Sequence, residues 1–290
     1  MDWLQFEFDY QLDLERLTPH LLAVEAHKPA ALTRVLPPQW REPSPEQDVA
    51  EPADETLQLR LKNAANARAW VNQRFTAGTP PLTLADLLTM HRMVADGATG
   101  DYAPGTLRSL PVQVGRREVG GLHMGAPANR LRRLMDEYVG FMTSERLRIL
   151  HPVIQALIAH FFLVTIHPFG DGNGRVSRLL TAAILLQRGY NVHGGFYALS
   201  DYFYLNDIKY HSMLHRCWQS PLPFDLTAFV AFGIEGFVME LRSIGSFIKM
   251  KLNRIVDRET LLVLHSAPGP RRLRASMTRA ASPNPGYLRR

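Results

Sequence analysis

Two strongly apolar runs, Val153 to Ile166 and Val176 to Leu186, stand on either side of one short polar segment. That arrangement constrains the fold more than any other feature of the chain. It reads as two buried helices joined by a loop, with the glycines of the loop at the start of the second helix. The first run is fourteen residues long and contains His160, too short and too interrupted to span a membrane.

The loop is His167-Pro168-Phe169-Gly170-Asp171-Gly172-Asn173-Gly174-Arg175, with Arg178 one turn later. Glycines allow positive φ and let a ligand approach bare N–H groups. A helix N-terminus leaves N–H donors unpaired and carries about half a positive charge. Gly172, Asn173 and Gly174 at such an end make an anion hole for phosphate oxygens. Asp171 is a hard oxygen ligand suited to magnesium. Arg175 and Arg178 project from the same side of the first turn and can grip outer phosphates as planar forks. His167 is the group in the loop that titrates near neutrality, which makes it the general base. Taken singly, each residue has a bland reading: a helix-ending His-Pro or a plain glycine turn. Packing gives no reason for His, Asp, Asn and two Arg to share one loop between apolar helices.

These residues resemble the signature of the Fic-domain (Fic/Doc) family, HPFx(D/E)GNGRxxR, with every fixed position filled. The resemblance implies a mainly α, Fic-type helical bundle with a small β-hairpin flap over the active site. It implies a protein adenylyltransferase that moves AMP from ATP, with Mg2+, to a Ser, Thr or Tyr hydroxyl of a target protein. His167 would deprotonate that hydroxyl, Asp171 would hold the magnesium, and Asn173 with the glycine amides would cradle the α-phosphate. Arg175 and Arg178 would hold the β- and γ-phosphates, and Phe169 would pack inward.

The likeness covers about residues 56–254. From Gly100 to Ala126 the chain reads as two short strands, Leu110 to Val114 and Glu118 to Leu122, turning at Gly115-Arg116-Arg117. In the family this hairpin pairs with the target backbone by strand addition, which assigns Pro111, Val112, Gln113 and Val114 to target binding. Downstream, Asn206 and Tyr210 lie one helical turn apart and are expected to line an adenine pocket. Relatives that flip the nucleotide and act as kinases usually carry Lys where Gly174 stands and lack the Pro at 168. The alternatives are transfer of another nucleotide or phosphate group, removal of AMP, or a toxin–antitoxin regulatory protein with a vestigial site; the intact His167 argues against the last.

Helical spacing places helices at about 11–35, 56–75, 83–96, 127–147, 150–166, 174–188, 199–218 and 224–255, with strand expected in the flap alone. The organisation expected is an N-terminal helical segment at 1–35, a proline-rich linker at 36–55, a catalytic domain at 56–255 and a basic tail at 256–290. Composition agrees: 290 residues at 46% hydrophobic can bury one large core. Six of the 33 basic residues are arginines after position 270, so the rest of the chain balances its 27 acidic residues. The charge excess is thus a property of a solvated, disordered tail. No zinc-finger spacing or basic recognition helix favours nucleic acid, and no membrane partner is expected. One cysteine, Cys217, excludes an internal disulfide and fits a reducing, cytoplasmic compartment.

Many relatives carry an inhibitory helix with the pattern (S/T)xxxE(G/N), whose glutamate pairs with the second motif arginine, here Arg178. No Ser or Thr in this chain has Glu four residues later, and the nearest approximation, Glu25, has Leu21 in the Ser/Thr place. The enzyme is therefore expected to be unrestrained, or restrained by a separate partner chain. A homodimer that modifies itself is a further expectation from the family. The remaining histidines read as packing or helix-end residues: His151 starts a helix, His160 faces the core with His167, and His91 sits within a helix. His211 and His215 have zinc-pair spacing without a third ligand, so no transition metal is assigned.

Overall fold

The computed structural model describes residues 1–32, 55–97, 102–116, 121–190 and 199–243. The expected linker lies outside them up to residue 54, with Glu55 already in a helix, and the expected tail at 256–290 lies outside them entirely. The described residues belong to one compact unit.

The centre of the bundle is α6 (Pro152–Ile166), in which every residue from Val153 to Ile166 is buried. A helix apolar on all sides gains nothing from facing water, so neighbours surround it. It packs along α7 (Asn173–Gln187), whose far side receives α2 (Glu55–Arg74) and α3 (Leu84–Ala95), while α4 (Leu131–Thr143) covers α6 from another direction. Local chemistry fixes the ends. Thr83 and Asp86 close a capping box on α3. Gly189, at φ 82°, ends α7 in a Schellman turn, with Tyr190 N donating to Leu185 O and Gly189 N to Leu186 O.

The strand content differs from the expectation in two ways. The flap pairs β2 (Gln113–Arg116) with β3 (Gly121–Met124), antiparallel, with Val114 opposite His123. Its strands therefore begin three residues later than the sequence pattern placed them. Pro111 has no N–H to donate to a ladder, and the Leu110 carbonyl is taken by Arg108. The expected turn at 115–117 is also displaced, because Gly115 and Arg116 lie in the strand and the connection falls outside the described residues. Beyond the flap, β1 (Tyr10–Gln11) pairs in parallel with β4 (Phe224–Asp225). This pair ties the N-terminal segment, with buried Trp3, Phe6 and Tyr10, to the aromatic cluster of Phe162 and Phe224.

Two expected long helices are broken. The stretch at 127–147 becomes a 3-10 turn, α4 and the single turn α5 (Glu145–Arg148), separated where Ser144 takes an extended conformation. The stretch at 199–218 divides into α8 (Leu199–Leu205) and α9 (Asp207–Gln219) at Asn206. α1 (Leu14–Leu32) and a final helix at 227–243 complete the described chain.

Candidate active site

The α6–α7 loop is held by its own residues and by two distant segments. His167 caps α6 in the left-handed conformation, φ 54° and ψ 61°, an unusual place for a residue with a Cβ. Pro168 cannot continue the helix. Phe169 is fully buried and stacks on His91, ring centroids 4.0 Å apart and nearly parallel. Gly172 is left-handed at φ 79°, which lets the chain turn directly into α7 at Asn173. The first α7 N–H to meet an intrahelical carbonyl is that of Val176, bonded to Gly172 O. The amides of Asn173, Gly174 and Arg175 therefore belong to the unpaired first turn.

His167 is half-buried, and its Nδ1–H donates to Val164 O at 3.2 Å. That bond assigns the proton to Nδ1 and leaves the lone pair on Nε2, which has no partner among the described residues. Burial pushes its pKa down to about 4; the Val164 bond opposes this, Arg108 and His123 add to it, and Asp171 opposes it. The imidazole is therefore neutral at pH 7, as a proton acceptor must be.

Asp171 is more than half exposed at 59%. Its Oδ1 accepts from Gly172 N at 2.6 Å and its Oδ2 from Arg175 Nη2 at 2.9 Å. Arg175 also donates through Nη1 to Val94 O, so its fork is engaged by the protein itself. Arg178 lies against Gly174, where a Cβ would meet its Nη1 at 3.3 Å. Both arginines and the glycines thus share one helix end with the acid.

Asn173 is placed differently from the expectation. Its side-chain amide is spent on the loop backbone, accepting from Phe169 N at 3.0 Å and donating to Phe169 O at 2.8 Å. These two bonds hold the loop backbone, and they leave the Asn173 backbone N–H in the unpaired first turn of α7. The side chains of Asn206 and Tyr210 each have a partner of their own, and Tyr210 lies within the electrostatic reach of Arg178. Asn206 is the first residue before α9, and its Nδ2 donates to Tyr202 O. Tyr210 is buried, with its hydroxyl on His160 Nε2 at 2.9 Å. Tyr210 therefore serves the packing of α9 on α6.

The flap lies beside His167: a Cβ on Gly125 would meet Val112 Cγ2 at 3.1 Å and His167 Cβ at 3.2 Å. Pro111 and Gln113 are exposed, Val112 half-buried and Val114 buried, the alternation of a strand with one covered face.

Three functional neighbours carry no signal in the linear sequence. His91 accepts from Gly105 N at Nδ1 (3.0 Å) and donates from Nε2 to Asp171 O (3.2 Å), bridging segments 14 and 80 residues away. Burial pushes its pKa down to about 4, so it stays neutral in this role. Arg108 donates to His167 O, and His123 donates to Thr165 O while stacking on Trp218. Their partners are 59 and 42 residues distant, beyond any local pattern.

Glu25 sits far from this loop. It accepts from His151, Tyr190 and Lys28 at the start of α6. At the rise of an α-helix, that is about 22 Å along α6 from its other end. Among the described residues, no three His, Cys, Asp or Glu side chains form a metal-binding group, and no helix is long and apolar enough to cross a membrane.

Residues 81–185 match the model of the Fic/DOC family. The protein adenylyltransferase Fic of Culex quinquefasciatus is 37% identical over 124 residues, 43% of this chain and 23% of that protein. Its counterpart from Drosophila grimshawi is 40% identical over 109 residues, 38% of this chain and 21% of the relative. The alignments thus span less than a quarter of these relatives. Among solved structures, a Fic family protein from Desulfovibrio desulfuricans superposes with a TM-score of 0.55 at 23% identity, over 80% of this chain and 64% of that one. A Fic domain containing signaling protein from Bacteroides thetaiotaomicron gives 0.56 at 21%, over 82% and 92%. The mainly helical, Fic-type bundle expected from the sequence is the fold observed. Signature, fold and family match agree, and the similarity to the Fic/DOC family is centred on residues 81–185.

Proposed function

We propose that this chain is a protein adenylyltransferase that transfers AMP from ATP to a Ser, Thr or Tyr hydroxyl of a target protein. The observation that carries the reading is the neutral His167, with its lone pair on Nε2, beside the unpaired amides of the α7 N-terminus. A base and an anion hole at one point are what nucleophilic attack on a phosphate requires. The curated relatives named above are adenylyltransferases, which favours this transfer over its alternatives.

In the reaction, His167 Nε2 takes the proton of the target hydroxyl as its oxygen attacks the α-phosphate. A new P–O bond forms to the target, the bond to the β-phosphate breaks, and pyrophosphate leaves. The backbone amides of Asn173 and Gly174 face the negative charge that builds on the α-phosphate oxygens. Arg175 and Arg178 receive the outer phosphates; to do so Arg175 exchanges its hold on Val94 O and Asp171 for the substrate. The Asp171 carboxylate suits Mg2+, because it is more than half exposed and each oxygen, accepting one hydrogen bond, keeps a lone pair. When bound, magnesium neutralises phosphate charge. The exposed edge at Pro111 and Gln113 receives the target backbone.

A separate chain that supplies a glutamate to Arg178 would restrain the enzyme, since Glu25 is committed elsewhere. Cys217, the one cysteine in the sequence, is a free and buried thiol, which fits a reducing, cytoplasmic setting.

The test is intact-mass spectrometry after incubation with ATP and magnesium, beside His167→Ala. An AMP-sized gain on the chain or on an added protein, in the wild type alone, is the expected outcome. A phosphate-sized gain would replace AMP transfer with kinase chemistry.

A further inference from the structure

The C-terminal end of α6 is stitched to the flap by four successive carbonyls. Thr165 O accepts from His123 Nε2 at 3.0 Å, and Ile166 O from Ala126 N at 3.0 Å. His167 O accepts from Arg108 Nε at 2.7 Å, and Pro168 O from Arg108 N at 3.0 Å. A helix ends with carbonyls that have no partner of their own. Here the segment around the flap supplies all four donors.

Arg108 is the centre of this arrangement. It is buried, 6% exposed, and each guanidinium nitrogen donates to a different backbone carbonyl. Nε takes His167 O, Nη1 takes Leu110 O at 2.6 Å and Nη2 takes Ala126 O. Leu110 leads into the flap, Ala126 leads out of it, and His167 is the base. A cation is favoured at a helix C-terminus, where the carbonyl ends carry partial negative charge. Only a planar fork reaches three acceptors in fixed directions; a lysine ammonium is a point charge on a flexible stem.

We propose that Arg108 is a positioning residue, which holds the two roots of the flap and the backbone of the base in one fixed frame. A target strand paired to the flap edge then presents its hydroxyl at a constant distance from His167 Nε2. The same bond to His167 O holds the base in its left-handed conformation, which residues with a Cβ otherwise avoid. The mechanical part of this inference stands on the contacts alone, and the catalytic part rests on the adenylyltransferase reading.

The experiment compares the full chain with Arg108→Lys, which keeps the charge and loses the fork, and Arg108→Met, which loses both. Backbone amide exchange is expected to accelerate about tenfold or more at Gly125 and Ala126 in both variants, with α2 and α3 unchanged. AMP production from ATP and magnesium, with the chain or water as acceptor, is expected to fall about 10- to 100-fold in kcat. KM for ATP stays within about threefold, because the phosphate-binding residues are untouched. The pH profile separates the two variants. The charged and titratable groups facing His167 are Arg108, His123 and Asp171, of which His123 is neutral near pH 7. Removing the Arg108 cation moves the acid limb of the rate to higher pH in Arg108→Met, while Arg108→Lys keeps it in place.

Unchanged exchange at Gly125 and Ala126 overturns the proposal, as does faster exchange spread evenly through the domain. Wild-type kcat in Arg108→Lys overturns it as well. A wild type that makes no AMP overturns the adenylyltransferase reading instead, and the exchange experiment still decides the role of Arg108.

Discussion

Both ends of α6 carry a histidine followed by a proline, His151-Pro152 and His167-Pro168, and the two imidazoles end in opposite states. At the N-terminus the helix offers N–H groups, so His151 must accept. Its Nδ1 takes the Val153 N–H at 3.3 Å. Its proton then lies on Nε2 and is directed to Glu25 Oε1 at 3.1 Å. At the C-terminus the helix offers carbonyls, so His167 must donate: its Nδ1–H goes to Val164 O. The lone pair is left on Nε2, aimed away from the helix. Helix polarity selects the tautomer, and the tautomer makes one histidine a tether and leaves the other with a lone pair that can accept a proton.

The sharpest way to break this comparison is to delete each ring. His167→Ala should lower AMP transfer by on the order of 10²–10⁴, read as labelled AMP on protein. His151→Ala should leave that rate within about twofold and cost about 1 kcal/mol of stability, read as a lower Tm. Loss of transfer in His151→Ala would end the distinction.

Acid should act on the His167 side and the bundle centre. Burial lowers the pKa of His91, His123 and His167 to about 4 and that of His160 to about 3. Below the ordinary histidine value of about 6.5 the unfolded chain binds protons that these folded sites refuse. Their contribution to stability is therefore complete above about pH 6.5 and is lost progressively as pH falls towards 4. Unfolding free energies from urea titrations at pH 7.5 and 5.0 should differ by on the order of a few kcal/mol. Equal values at both pH settings would show that these rings are solvated. The transfer rate should also hold just below pH 6.5, because the base is still neutral there.

A smaller effect tests the middle of the same helix. Tyr210→Phe leaves His160 Nε2 buried without its donor. An orphaned buried acceptor costs about 1–3 kcal/mol. KM for ATP should not move. A several-fold rise in that KM with unchanged Tm would return Tyr210 to the nucleotide pocket.

The smallest effect is expected at the tether. Glu25 is exposed. Glu25→Gln should therefore cost under about 1 kcal/mol, and less in high salt. It should not raise transfer, because Glu25 lies at the far end of α6 from Arg178. A large activation would make Glu25 an inhibitory residue after all.

Much of the site could be read without coordinates, and its legibility follows from locality. The apolar run from Val153 to Ile166, the helix-ending Pro168, the left-handed Gly172 and the start of α7 at Asn173 all depend on residues within one or two turns of each other. Backbone sterics and helix periodicity act over that range, so so short a loop states its own shape. The same rules set the flap strands three residues early, because the competing claim on Leu110 O comes from a buried guanidinium rather than from the strand pattern.

The sequence by itself determined the bundle, the loop and the residue types gathered at the α7 N-terminus. Only the tertiary structure decided how those residues are used. Asn173 became a staple on Phe169, Tyr210 a core donor to His160, and Glu25 a tether to His151. His91 and Arg108, neither marked by spacing, came to hold Asp171 and His167. The physical reason is common to all of them. A side chain's hydrogen bonds go to whichever unpaired polar group, of backbone or side chain, folding brings within reach. For His91 and Arg108 that group belongs to a segment far along the chain, where no local pattern can announce it.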